Sequence, residues 1–263
     1  MQQNKVTYVI NTYNRQNKLI NAIESVLDQK GISLEVLVVD DCSSGMSVEG
    51  LIEKYPTVKF YRNAENIGLS RSRQVGLELC RTEYVAFLDD DDVLVDEYKT
   101  LRQLKILQLN ESAAVVCSDI IEFDGISYKD GDIQWPGSLL NHLMKRNGII
   151  YPSTTTCRKK HLLGVGGFDY RFKRGVDSDV YRRLVLAGHD ILFESKKTIH
   201  YLVEAKDKIT DNQSSRGLFR NIVGNALTIR KYYTYYLKNL DALLFRLKAI
   251  AISLYLIFKN KLR

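Results

Sequence analysis

The sequence predicts an α/β fold built on a doubly wound, mostly parallel sheet, and three observations carry that prediction. Runs rich in β-formers alternate with segments of helical periodicity through the first ninety residues. These runs end in polar or acidic turns. One of them, Tyr84-Val85-Ala86-Phe87-Leu88, is apolar throughout, as a strand covered on both faces must be, and it leads straight into Asp89-Asp90-Asp91-Asp92.

The first unit is a strand over 5–10, a polar turn over 11–15 and a helix over 18–29, in which Leu19, Ile20, Ile23, Val26 and Leu27 recur at helical spacing. A second strand, over 34–39, ends in Asp40-Asp41-Cys42-Ser43-Ser44 and is followed by a short helix over 48–54. A third, over 58–61, passes through Asn63-Ala64-Glu65-Asn66-Ile67-Gly68 into a helix over 69–80. The fourth is the strand before the aspartates. Further helices are predicted over 99–109 and 137–146, with strands over 113–119, 149–151, 154–158, 190–194 and 198–202. A helix opening at Asp177 is expected to turn Val180, Leu184 and Val185 inward and Arg182 and Arg183 outward. Ligands of open α/β sheets bind beyond the C-terminal strand ends, which is where both acidic turns fall.

Four consecutive carboxylates at such a strand end repel one another by roughly 1–3 kcal/mol per close pair at an effective dielectric near 20. A divalent cation removes that cost. Magnesium or manganese is commonly held by one or two carboxylates, with phosphate and water filling the other positions. The competing reading is a solvated acidic turn in which Asp92 or Asp96 caps the next helix.

At 263 residues and 30.2 kDa, with 45% hydrophobic content and no linker-like tract, the chain is read as one large α/β domain with an appendage. The net charge of +7 is a property of its end. From Arg216 onward there are ten Lys/Arg against one acid, Asp241, or +9, which leaves −2 for residues 1–215. No binding module or groove-sized basic face with interleaved aromatics supports a nucleic-acid partner. Cys42, Cys80, Cys117 and Cys157 form no CxxC pair and fit free thiols in a reducing cytosol. The first fifteen residues lack the apolar core of a signal peptide, so a cytoplasmic location is expected.

The turn after the first strand contains no glycine, which excludes both the G-x-G-x-x-G dinucleotide site and a P-loop. The glycine-rich basic loop of sugar nucleotidyltransferases is missing too. What the residues do carry is NTYNR (Asn11 to Arg15), EVLVVDDCS (Glu35 to Ser43), NIGLSRSRQVG (Asn66 to Gly76) and FLDDDD (Phe87 to Asp92). In order and spacing these resemble the motifs of family-two glycosyltransferases of GT-A fold, and a fifth stretch extends the resemblance to about Leu186. Asn11 departs from the family's usual proline.

The resemblance implies a nucleotide-sugar donor, with UDP the expected nucleotide, and a divalent metal, manganese or magnesium, as cofactor. Thr12, Tyr13 and Arg15 then lie where the family holds the nucleotide, and Asp41 where a carboxylate accepts a hydrogen bond from the base. Arg71 and Arg73 would face the diphosphate, as surface arginines of an amphipathic helix otherwise would not. Asp89 and Asp90 fall on the donor side, and Asp91 would take the metal. His200, in the last predicted strand segment, is a candidate further ligand, the alternative being a satisfied core or surface imidazole.

The second half would receive the acceptor, a glycan or lipid-linked hydroxyl in surface-polysaccharide synthesis. The family's G-x-F-D-E turn corresponds to Gly166-Gly167-Phe168-Asp169, and its E-D-x-D motif to residues 176–179, so Asp177 is the expected general base, with Asp179 the fallback. Such a base implies single displacement with inversion. Val176 replaces the family's glutamate, which leaves open a non-catalytic sugar-nucleotide-binding partner of another transferase. Gln213-Ser214-Ser215-Arg216 matches the start of the processive Q-x-x-R-W signature, but Gly217 replaces the tryptophan, and a non-processive enzyme is expected.

The domain reading is therefore 1–215 for the transferase domain (1–110 donor half, 111–215 acceptor half) and 216–263 for a basic, amphipathic helical tail. Helices are predicted over 218–237 and 243–258. The second is too short and too charged to span a bilayer, because Arg246 and Lys248 would each cost roughly 2.5–3.5 kcal/mol at its centre. It has a broad apolar face (Leu243, Leu247, Ile250, Leu254, Phe258) and a narrower one (Phe245, Ala249, Ile252, Leu256). One face is expected to pack on the catalytic domain. The other, with the basic residues, would dock on the inner face of an anionic cytoplasmic membrane. A dimer interface through that face, or plain core packing, is the competing expectation.

Overall fold

A computed structural model describes residues 5–45, 47–124, 126–202 and 214–261. Gln213, which opens the processive-type stretch, lies outside them.

Four β-turn-α units open the chain. Strand β1 (Lys5–Thr12) leads to helix α1 (Gln16–Leu27), β2 (Ser33–Asp40) to α2 (Val48–Lys54), and β3 (Val58–Arg62) to α3 (Leu69–Leu79). Strand β4 (Tyr84–Asp89) then meets the two-residue β5 (Val93–Leu94) and α4 (Lys99–Leu109). The remainder runs β6 (Ala113–Phe123), β7 (Tyr128–Asp130), α5 (Leu139–Lys145), a 3-10 turn at Pro152–Thr154, β8 (Thr156–Arg158), α6 (Lys159–Gly164), α7 (Val176–Leu186), β9 (Asp190–Leu202), α8 (Ser215–Lys231), α9 (Tyr233–Lys238) and α10 (Leu240–Lys261).

The nine strands form one sheet in the order β3-β2-β1-β4-β8-β6-β9-β5, with β7 beside β6. Strands β1 to β4 pair in parallel; β8 is antiparallel to both β4 and β6, and β6 is parallel to β9. The long strands therefore all point one way, and only the short β5, β7 and β8 run against them. Their common C-terminal edge carries the turns after β1, β2 and β4.

The sheet has to curl. Strands β4 and β5 stand four places apart in the order, about 19 Å in a flat sheet. Only residues 90–92 join them, and the four steps from Asp89 to Val93 reach at most about 14 Å. Curling brings the β5 edge back over the end of β4, so the aspartates lie inside a concave wall.

Apolar side chains fill both faces. One layer is built from Val6, Tyr8, Ile10, Leu19 and Ile23 with Ala86 and Leu88; the other from Val9, Val39, Val85 and Phe87 with Leu143, Val180 and Leu184. Helix α3 lies so close to β1 that a Cβ on Gly76 would stand 2.3 Å from Val9 Cγ1.

Several elements differ from the sequence prediction. Strand β9 is continuous, taking up irregularities in register against β6, where two separate segments were expected. Residues 149–151 are not a strand; the chain there enters the 3-10 turn, whose Ser153 and Thr154 are fully buried. Arg182, expected to face outward, is fully buried, its Nε donating to the Leu143 carbonyl and its second guanidinium nitrogen to Asn147. Helices α8 and α10, packed together against α5, cover that side of α7 and turn what would be a solvent face into an interior one.

Candidate active site

Two turns at the concave edge hold the residues expected on the donor side. Asn14 takes a left-handed backbone conformation (φ 57°), which asparagine tolerates, and is pinned to the β2 turn: its N–H donates to Ser43 Oγ at 2.8 Å, and its Oδ1 accepts from the Ser44 N–H at 2.8 Å. This fixes Tyr13 at the rim with 46% of its surface exposed and its ring open to stacking. Asp41 is buried and organises the loop 63–68, accepting from Asn63 Nδ2 at 2.9 Å, the Ile67 N–H at 3.0 Å and the Gly68 N–H at 2.8 Å. A carboxylate offers about four acceptor positions, so about one remains for a ligand.

The aspartate run splits into distinct environments. Asp90 is buried, accepts from Thr12 Oγ1 at 2.7 Å and pairs with Arg15 at 3.0 Å; the same guanidinium reaches Asp91 at 3.2 Å. Burial pushes the Asp90 carboxyl up to about 6 against the pull of Arg15 and Thr12. Asp92 is buried beneath them and accepts a 2.5 Å hydrogen bond from Ser153, whose oxygen in turn accepts from the Asp89 N–H at 3.0 Å; burial, with Asp89 nearby, raises its pKa well above the usual range. Asp89 pairs with Arg73.

Arg73 joins the two halves. Buried on α3, it contacts Asp89 through Nη2 and Asp177 through Nη1, the latter at 2.5 Å. Asp177 stands in the first turn of α7, just after Gly175 in its left-handed conformation. Burial raises the Asp177 pKa, and the guanidinium opposes that shift. Helix α3 also grips the Gly-Gly-Phe-Asp turn: Gln74 Oε1 accepts from the Phe168 N–H at 2.8 Å and Ser70 Oγ donates to the Asp169 carbonyl at 3.0 Å.

Other expected site residues lie elsewhere. Arg71 is exposed, its guanidinium 4.8 Å from the Tyr170 ring. Asp179 is fully buried and taken up by three donors, Tyr232 Oη at 2.6 Å, Lys231 Nζ at 2.9 Å and Arg183 Nε at 3.0 Å. Val176 is buried in the apolar layer beside Phe172 and Val180. His200 pairs across from Val93, one residue past the aspartates, and its ring stacks on Tyr128 with centroids 4.4 Å apart; burial lowers its pKa.

Ser153, Gln74, Lys231 and Tyr232 were not anticipated from the sequence. Their partners are 61, 94, 52 and 53 residues away respectively, beyond any local spacing rule. The signal nearest to hand was the run Ser153-Thr154-Thr155-Thr156, four hydroxyls after a proline and all fully buried.

Among the described residues, no three carboxylate, imidazole or thiolate groups converge as a preformed metal cage. The donor set still suits a hard divalent cation. Four carboxylates, Asp89, Asp90, Asp91 and Asp177, pair with the guanidiniums of Arg15 and Arg73, Asp92 is held by Ser153, and three of the five have raised pKa values. A hard divalent cation held by few protein carboxylates completes its coordination with phosphate oxygens and water.

Comparison with known proteins places this geometry. The family model described as Glycosyl transferase family 2 matches residues 7–174. An uncharacterized glycosyltransferase of Haemophilus influenzae is 26% identical over 185 residues, covering 68% of this chain and 62% of the relative. The succinoglycan biosynthesis protein ExoO of Rhizobium meliloti is 32% identical over 130 residues, 47% of this chain and 36% of the relative. The chain thus spans less than two thirds of the length of these relatives. Among solved structures, residues 1–349 of S. aureus TarS in complex with UDP-GlcNAc align with a TM-score of 0.65 at 17% identity, over 96% of this chain and 81% of that one. The mannosyltransferase PcManGT of Pyrobaculum calidifontis, in complex with GDP-Man and Mn2+, aligns with a TM-score of 0.66 at 17% identity, over 95% of this chain and 75% of that one. At that identity the likeness is one of fold.

Proposed function

The chain belongs to glycosyl transferase family 2 and has the GT-A fold, and on that premise we propose that it transfers one sugar from a nucleotide diphosphate sugar, a UDP-sugar, to a hydroxyl of a glycan or lipid-linked acceptor, with inversion. The observation that carries the reading is the shared guanidinium of Arg73, which reaches Asp177 across 104 residues of chain and brings that carboxylate to the aspartate run. TarS and PcManGT, which bind UDP-GlcNAc and GDP-Man, support the donor class.

In this mechanism Tyr13 stacks on the base, and Asp41 accepts from it with its remaining acceptor position. Asp177 takes the proton of the acceptor hydroxyl as that oxygen bonds to the anomeric carbon and the bond to the diphosphate breaks. Its raised pKa makes it a stronger base than an exposed aspartate, while Arg73 keeps it ionised and aimed. Arg15 faces the diphosphate end of the donor, while Arg73, buried between Asp89 and Asp177, positions those carboxylates. Asp91 would hold manganese or magnesium, which supplies charge neutralisation on the departing diphosphate when bound.

The test is transfer or slow hydrolysis of UDP-sugars by the full chain with manganese, compared with Asp177→Asn. The variant should lose about 10²–10⁴ in turnover while binding UDP as tightly as the wild type. A wild type that binds UDP-sugar and never turns over would make the chain a sugar-nucleotide-binding partner of another transferase.

A further inference from the structure

Helix α10 is packed inside out. Its buried side presents Arg246 and Ser253, each 2% exposed, with Ala242. Arg246 donates to the carbonyls of Leu143 and Met144 and to Asn225 Oδ1, and Ser253 Oγ accepts from Asn221 Nδ2 at 2.9 Å. The opposite side is apolar: Leu240, Leu244, Leu254, Tyr255 and Phe258 are 54–64% exposed and Leu247 is 45% exposed. These six recur at i, i+4, i+7, i+14, i+15 and i+18, a single stripe about 27 Å long. The broad apolar face is thus divided, with Leu247, Leu254 and Phe258 outward, and Arg246, expected among the outward basic residues, is buried instead.

A continuous stripe of this kind is an interaction surface, unlike the scattered leucines of an ordinary exterior. Its charge selects the occupant. Exposed Lys248 and Lys259, three turns apart, border the stripe on one flank, and exposed Lys238 precedes it. The sole acid of the C-terminal helices, Asp241, is paired with Lys145 at 2.6 Å. A second copy would bring two like-charged surfaces together with no acidic group to relieve them. A negatively charged bilayer surface would accept the leucines among its acyl chains and the ammonium groups at its headgroups. Among the described residues no helix is long and apolar enough to cross a membrane, so the mode is peripheral.

We propose that the outer face of α10 docks the protein on an anionic lipid bilayer, with the helix lying in the plane of the headgroups. The surface stands apart from the chemistry proposed above, and its test needs no turnover. The full chain is sedimented with vesicles of phosphatidylcholine containing phosphatidylglycerol and with vesicles of phosphatidylcholine alone. The wild type should pellet with the anionic vesicles and at least about tenfold less with the neutral ones. Leu244→Glu/Leu254→Glu should stay in the supernatant with an unchanged melting temperature and circular dichroism spectrum. Lys248→Glu/Lys259→Glu should weaken binding by about twentyfold or more. Three results would each overturn the proposal: no pelleting with either vesicle, equal pelleting with both, or a wild-type dimer that Leu244→Glu/Leu254→Glu converts to monomer, which would give the face to a second copy.

Discussion

Arg73 Nη1 lies 2.5 Å from Asp177 Oδ1, so a guanidinium on α3 and a carboxylate on α7 form one charge-assisted contact, while the other guanidinium nitrogen holds Asp89. The base position and the aspartate run therefore share a single cation. Any change at Arg73 is felt at both.

The first prediction follows from the sign of that coupling. Burial raises the Asp177 pKa and Arg73 opposes it. Arg73→Ala removes the opposition, so the pKa rises further and the acid limb of the pH–rate profile moves to higher pH. Turnover at neutral pH should fall by about 10², and Arg73→Lys should recover part of it. An acid limb that stays in place would sever Arg73 from the base.

Asp90 sets a pH dependence of stability. Its folded pKa of about 6 exceeds the ordinary 3.8, so the folded chain retains a proton that the unfolded chain has lost. Stability tied to this carboxyl is full below pH about 4 and lost as pH rises through about 6, a difference of about 3 kcal/mol. With chelator present, Asp90→Asn should melt above the wild type at pH about 7.5, and the gap should close toward pH about 4. Manganese should raise the wild-type melting temperature more than that of the variant.

Asp179 should behave as a structural anchor. Asp179→Asn takes the charged partner at a fully buried position away from the half-buried cations of Lys231 and Arg183 and should cost about 3 kcal/mol in urea denaturation. Tyr232→Phe, which removes one hydrogen bond, should cost about 1–2 kcal/mol. Calorimetry should find UDP affinity within about twofold of wild type in both. Turnover abolished in Asp179→Asn at unchanged stability would make Asp179 the base.

Gly76 is required by the approach of α3 to β1. Gly76→Ala places a methyl 2.3 Å from Val9 Cγ1 and should cost about 1–3 kcal/mol. Combining it with Val9→Ala should cost less than the two single changes added together, as a thermal double-mutant cycle would show.

The fold was legible where local physics is strong. Helices over 48–54 and 99–109 fall where the periodicity put them, and the strand before the aspartates is covered on both faces. The position of the polar and acidic turns was legible because Tyr13, Asp41 and the aspartates lie next to their strand ends in sequence. What could not be read was long-range. Arg182 looked like a surface residue because nothing in its own helix announces that α8 and α10 will cover it. Ser153 reaches the aspartates only because the sheet curls, and that curl follows from a strand order no single segment encodes. The outward stripe of α10 was partly visible as hydrophobicity, but the polar inward face, Arg246 with Asn147 and Asn225, needed the partner helices to be seen.

Tyr232 and Lys231 at the end of α8 grip Asp179, two residues beyond Asp177, and Lys231 also holds Asp169 at 2.8 Å. The C-terminal helices are thus a rib of the catalytic half and cannot serve as a detachable handle. Shortened forms ending before residue 231 would strip the base helix of its buttress, so loss of turnover in them would report a loosened frame and leave the question of what α10 touches unanswered.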